Sequence, residues 1–165
     1  MKAVVVYESL WGNTAAIARA IAEGIGQGAQ ALSTAEATPT VLAGADLIVA
    51  GSPVLAFRLP TEQIRESLRS TPIDAPSPAD LSHPSMRSWL ESLPMGNARS
   101  AVFETRVRGP FGHATPEITK ALAKVGYLST TRPLSSIVMG KYGPLKEGEI
   151  ERAREWGAEL AKGMG

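Results

Sequence analysis

One stretch constrains the fold more than any other. Residues 4–25 read VVVYESLWGNTAAIARAIAEGI. Three valines and a tyrosine describe a strand that is apolar on both faces, the pattern of a parallel sheet covered by helices. In the alanine- and isoleucine-rich run that follows, Ile17, Ile21 and Ile25 recur every fourth residue along one helical face. A strand that leads so directly into a helix opens a βα unit, which a further parallel strand must complete. Between the two lies a polar loop, Ser9-Leu10-Trp11-Gly12-Asn13-Thr14, that burial alone does not explain.

The alternation continues along the chain. Lys2–Tyr7 is read as the first strand, Asn13–Gly24 as the first helix and a weaker stretch near Ala29–Ala35 as the second strand. Asp46–Gly51 (DLIVAG) is the third strand, Ala101–Thr105 (AVFET) the fourth, and a fifth falls within Leu134–Met139. Thr115-Pro116-Glu117 reads as an N-cap, a first-turn proline and a first-turn acid. The helix they open runs to Gly126 with Ile118, Leu122 and Val125 inward, and a last helix spans about Glu147–Lys162 with Ile150, Ala153, Trp156/Gly157 and Leu160 at helical spacing. Residues 71–84 hold Pro72, Pro76, Pro78 and Pro84 and read as an exposed loop, with His83 at the surface. A short helix with Met86, Trp89, Leu90 and Leu93 on one side follows. The expected result is a single three-layer α/β domain over residues 1–165.

Composition removes whole classes of function. The chain has no cysteine, which excludes disulfides, thiolate metal sites and thiol nucleophiles. Seventeen basic residues against sixteen acidic ones, a net charge of +1, argue for no nucleic acid and no anionic membrane as partner. No apolar run approaches the roughly 20 residues of a membrane span. Met1-Lys2 leads straight into the first strand with no apolar leader, so the expected location is cytoplasmic. Two scattered histidines support no metal site, and no serine sits in a nucleophile elbow.

In an open parallel sheet, ligands bind beyond the carboxyl ends of the strands, where connections diverge to opposite faces. The loop 9–14 lies at such an end and opens a helix, whose unpaired N–H groups and positive dipole end favour an anion. Gly12 permits close backbone approach, while the Ser9 and Thr14 hydroxyls and the Asn13 amide can add hydrogen bonds. With no lysine or arginine, the loop suits a phosphate held by neutral donors. The Walker lysine and the three-glycine dinucleotide pattern are both missing. The plainer alternative is that Asn13 or Thr14 only caps the helix.

The stretch resembles the flavodoxin signature at every specified position: Val5, Val6, Tyr7, Ser9, Gly12, Thr14, Ala18 and Ile21. GSPVLAFRLP (51–60) is similar to that family's second flavin loop, and FETR (103–106) with the segment to His113 stands where its third lies. MRSWLESLP, FETRV and YGPLKEGEIERAREWG are similar to small actinobacterial flavodoxin-like proteins, so the resemblance covers the whole chain. With no insertion in the fifth strand, it is that of a short-chain member.

The resemblance implies a flavodoxin-like three-layer sandwich, a five-stranded parallel sheet in the order 2-1-3-4-5, and FMN as cofactor. It implies that Ser9, Leu10, Trp11, Gly12, Asn13 and Thr14 wrap the phosphate. The ring would lie between Ser52, Pro53, Val54, Leu55 and Phe57 of the second loop and Thr105, Arg106, Gly112 and His113 of the third. Departures from the family pattern stand beside it. Two aromatics usually flank the flavin, whereas here the second loop offers Val54, Leu55 and Phe57 and the third offers Phe111 and His113. Phe57 and Phe111 are read equally as loop anchors packed on the core. Trp11 stands where a hydroxyl residue is common, and the acidic surface of electron-shuttle flavodoxins is missing. The third loop is instead cationic, with Arg106 and Arg108, and these with His113 form either an anion patch or a solvated loop. Three functions follow: electron transfer to an unidentified redox partner protein, FMN-dependent reduction of a quinone or other small planar acceptor, or a non-redox binding module.

Overall fold

The computed structural model describes residues 1–129 and 131–164. In chain order the elements are β1 (Ala3–Tyr7), α1 (Asn13–Ile25), β2 (Ala29–Ser33), α2 (Pro39–Leu42), β3 (Leu47–Pro53), α3 (Glu62–Ser67), α4 (Met86–Glu91), β4 (Arg99–Val107), α5 (Thr115–Lys124), β5 (Leu134–Val138) and α6 (Glu149–Met164). The strands form one five-stranded parallel sheet in the order β2-β1-β3-β4-β5, as expected from the resemblance. After β1 the chain goes first to one side, to β2, and then crosses to the other, to β3. The crevice between the ends of β1 and β3 is therefore the topological switch point.

Strand periodicity divides the core. Val4, Val6, Ile48, Ala50 and Val102 point to one face, where Met86, Trp89 and Leu90 of α4 and Ile118 and Leu122 of α5 cover them. Val5, Val49, Ala101 and Phe103 point to the other, against Ile17 and Ile21 of α1 and Ala153 and Leu160 of α6. α1 and α6 touch backbone to backbone, since a Cβ on Gly157 would lie 2.2 Å from the Ile21 carbonyl oxygen. Of the residues at helical spacing in α6, Ile150 is at the surface.

β4 runs from Arg99 to Val107, two residues beyond its expected bounds at each end, because β3 pairs along its first seven residues and β5 along its last five. This register sets Tyr7 beside Gly51, Gly51 beside Phe103, and Pro53 beside Thr105 at the carboxyl edge. Gly51 admits the Phe103 ring, which would lie 2.4 Å from an added Cβ. Thr115 proves to be the first residue of α5 and not its cap. Glu104, wholly buried within β4, caps the helix by accepting the N–H groups of Ala114 (2.7 Å) and Thr115 (3.1 Å).

Candidate functional site

The loop 9–14 turns from β1 into α1 through Gly12, whose φ of +94° lies in the left-handed region that glycine enters freely. Neither Asn13 nor Thr14 caps the helix. Ser9 does so from outside it, its Oγ accepting the N–H groups of Gly12 (3.1 Å) and Ala15 (3.2 Å). The Ser9 hydroxyl keeps its own proton free to donate. Asn13 Nδ2 donates to the Tyr142 carbonyl (3.0 Å), and Thr14 Oγ1 lies 2.8 Å from Thr105 Oγ1. Among the described residues, the N–H groups of Leu10, Trp11, Asn13 and Thr14 have no partner. The loop thus presents donors without matching acceptors at a helix N-terminus, which is the chemistry that holds an anion.

A buried polar chain fixes this loop from below. The Ser9 N–H donates to His83 Nε2 (3.2 Å). Arg65 donates to the His83 carbonyl and to Glu8 Oε2, each at 2.5 Å, and Glu8 Oε1 accepts the Met86 N–H (3.0 Å). His83 is only 6% exposed, so its reading as a surface residue is corrected: the proline-rich segment is solvated, but it tucks this ring under the loop. Burial lowers the His83 pKa from the usual histidine value, with Asp80 opposing and Arg65 adding to the fall. Burial raises the Glu8 carboxyl, against the lowering effect of the Met86 N–H and Arg65. Trp11 joins two further segments: its Nε1 donates to the Ser77 carbonyl (3.0 Å), and its ring meets Tyr142 edge-on with centroids 4.7 Å apart. That strut accounts for an aromatic where a hydroxyl is usual.

Above the loop opens a cleft of about 260 Å³. Ser9, Leu10, Trp11, Asn13 and Thr14 form one end of it. Pro53, Val54, Leu55, Ala56 and Phe57 form one wall, Thr105, Arg106, Val107 and Phe111 the other, and Val138 and Lys141 close it. Four of the expected residues do not line it. Gly12 faces the far side of its loop, and Ser52 is buried with its hydroxyl bonded to the Pro53 carbonyl. Gly112 packs on the Phe57 backbone, where a Cβ would meet the carbonyl oxygen at 2.0 Å. His113 Nδ1 lies 2.7 Å from Glu104 Oε2, which also accepts the Ser135 hydroxyl.

Phe57 and Phe111 are not core anchors. They are 66% and 46% exposed and stand against each other at the mouth, ring centroids 6.3 Å apart. Two mutual hydrogen bonds between Leu55 and Arg58 close a two-residue hairpin whose central residues, Ala56 and Phe57, have φ of 49° and 70°. Arg106 is turned into its own loop, donating to the carbonyls of Gly112 (3.2 Å) and Gly109, with Glu104 Oε2 3.8 Å away. Lys141 was missed in the sequence because it follows β5, far from the loop it faces. Val107 and Val138 gave no signal beyond ordinary strand residues. No group of metal ligands occurs among the described residues, and no described helix is long and apolar enough to cross a membrane.

No family model matches the chain, and no curated protein matches it in sequence. Solved structures match in three dimensions. A flavodoxin from the domain Archaea superposes with a TM-score of 0.69 at 22% identity, covering 99% of each chain. Flavodoxin 1 from Bacillus cereus, in its oxidised form, superposes at 0.67 with 18% identity over 98% of each. A short-chain flavodoxin associated with a non-canonical PDU bacterial microcompartment superposes at 0.68 with 15% identity over the full length of both. At these identities the likeness is one of architecture, and with the strand order it establishes that this chain has the flavodoxin fold from end to end.

Proposed function

We propose that the whole chain is one FMN-binding domain of the flavodoxin family that carries electrons, in the cytoplasm, to or from a partner. The observation that carries the reading is the loop 9–14, with its unpaired N–H groups and the Ser9 hydroxyl, opening onto an apolar cleft at the switch point. The residues fit the cofactor. Neutral donors at a helix end suit a phosphate dianion, and Val54, Leu55, Val107 and Val138 suit the edge of a flat ring.

Bound FMN would supply the redox chemistry, and the chain would bind it, orient it and set the charge around it. The loop 9–14 holds the phosphate, while the walls keep water from one edge of the ring. Arg106, tied to the carbonyls of its own loop, places a fixed positive charge beside the cleft and favours the anionic reduced flavin. The cleft, about 260 Å³ and open on one side, has walls that suit one flat ring.

The test is the visible spectrum of the purified protein before and after FMN is added, followed by competition between FMN and riboflavin. Flavin bands shifted from those of free FMN, with riboflavin bound much more weakly, are expected. Equal affinity for the two would remove the phosphate role of loop 9–14. A colourless protein that takes up no FMN would leave a non-redox binding module.

A further inference from the structure

The connections that frame the cleft mouth have an uneven charge. Segments 51–61, 105–116 and 139–144 contain no aspartate or glutamate, yet carry Arg58, Arg106, Arg108 and Lys141. Glu62 and Glu117, next in sequence to two of these segments, are engaged by the Ser85 hydroxyl and by Arg87. Glu104 is buried, spent on the α5 N-terminus, His113 and Ser135, and offers only Arg106 a distant contact. Asp74 lies on the phosphate-loop side, accepting the Tyr142 hydroxyl. Among the described residues Arg58, Arg108 and Lys141 form no ion pair, and Arg58 and Arg108 are exposed. On a chain of net charge +1, this is a local excess and not a uniform field.

At the centre of the excess stand Phe57 and Phe111. An exposed aromatic pair costs solubility, and here backbone strain holds part of it in place: Phe57 sits in the left-handed region at a hairpin tip. Strain of this kind persists where the surrounding structure enforces it, and clusters at functional sites. Gly112, packed against the Phe57 carbonyl, supplies the enforcement. Aromatic and arginine side chains together are what protein interfaces concentrate at their centres.

We infer that the mouth of the cleft, with Phe57 and Phe111 among Arg58, Arg108 and Lys141, is a docking surface for a partner protein that presents carboxylates around an apolar centre. The charge complementarity selects the partner: opposite potentials steer the encounter, and like potentials exclude other proteins. That the partner exchanges electrons rests on the FMN reading. The acidic character of the partner does not.

Poly-L-glutamate is the probe, titrated into ¹⁵N-labelled protein with and without FMN. Amides of 55–58 and 106–113 are expected to shift. The double variant Arg58→Glu/Arg108→Glu, which replaces no residue lining the cleft, should weaken the effect about tenfold or more while leaving the flavin spectrum unchanged. Raising ionic strength from about 0.01 M to about 0.15 M, which shortens the screening length from roughly 30 Å to 8 Å, should weaken it as well. Shifts spread over α1 and α6, or retained in the double variant, overturn the proposal. So does an oligo-dT strand that shifts the same amides at lower concentration, because the face would then belong to nucleic acid. The titration without FMN reads the surface even in a protein that binds no flavin, so a failed cofactor reading shows in the spectrum and a failed docking surface in the amides.

Discussion

Ser9 serves two ends of one loop, accepting the Gly12 and Ala15 N–H groups while its own N–H rests on His83. Removing its hydroxyl therefore costs both fold and ligand, whereas Thr14 exchanges its bond with a single side chain, Thr105. Thr14→Ala should weaken FMN by about 1.5–3 kcal/mol, the usual worth of a hydrogen bond to a charged group, and leave riboflavin nearly unaffected. Fluorescence titration with both flavins measures it, and an equal loss for the two would place Thr14 away from the phosphate. Ser9→Ala should add a fall in melting temperature, because the buried Ala15 N–H and the Gly12 N–H lose their acceptor. His83 makes the loop sensitive to pH. Its pKa is lowered in the fold, so the stability it contributes is complete above its unfolded value of 6.5 and is lost as pH falls toward the folded value. The incoming proton takes the Nε2 lone pair that the Ser9 N–H uses. FMN affinity should therefore decline as pH drops below about 6.5, and His83→Gln should flatten that decline. Glu8, raised by burial, acts in the opposite sense: its contribution is largest at low pH and falls as pH rises through the carboxylate range. Affinity, not melting alone, is the clean readout.

The hairpin 55–58 is a turn of the kind that favours Asn-Gly, because both central residues need positive φ. Ala56 and Phe57 occupy those places at a cost of roughly 1–2 kcal/mol each. Ala56→Asn/Phe57→Gly should raise stability by about 1–2 kcal/mol in urea unfolding while stripping the mouth of its leading aromatic. A more stable variant that has lost its response to poly-L-glutamate is the expected outcome. Destabilisation would mean that the Phe57–Phe111 contact outweighs the turn strain. The third loop packs on this hairpin through Gly112, which lies against the Phe57 backbone.

For the molecule as a whole, cofactor and fold are coupled. The phosphate loop and both walls come from connections anchored on β1, β3, β4 and β5, so a ligand that bridges them binds the folded chain and not the unfolded one. FMN at about a hundred times its Kd should add about 2.7 kcal/mol. Differential scanning calorimetry should show the melting temperature rising with FMN concentration and rising less with riboflavin at the same concentration. No rise with FMN would separate the fold from the proposed function.

Much of this protein was legible because local pattern and global burial agree. VVVY followed by an isoleucine stripe is a buried strand and a helix in any setting, and DLIVAG and AVFET need burial on both faces. The loop between the first strand and helix, held at the carboxyl edge by that order, was legible for the same reason. The short helices α2 and α3 were not, because four and six residues carry too little periodicity to register. Nor were the contacts that join distant segments. His83 reaches Ser9 across 74 residues, Tyr142 reaches Asn13 across 129, and Lys141 reaches the cleft only because the chain after β5 returns beside α1. Glu104 caps a helix that begins eleven residues later because β4 delivers its carboxylate there. Local pattern specifies which segments are strands and helices, since side-chain periodicity is carried by the segment's own residues. Burial of a histidine, the capping of α5 and the exposure of Phe57 depend on which segments meet, and the packing of the sheet's two faces settles that.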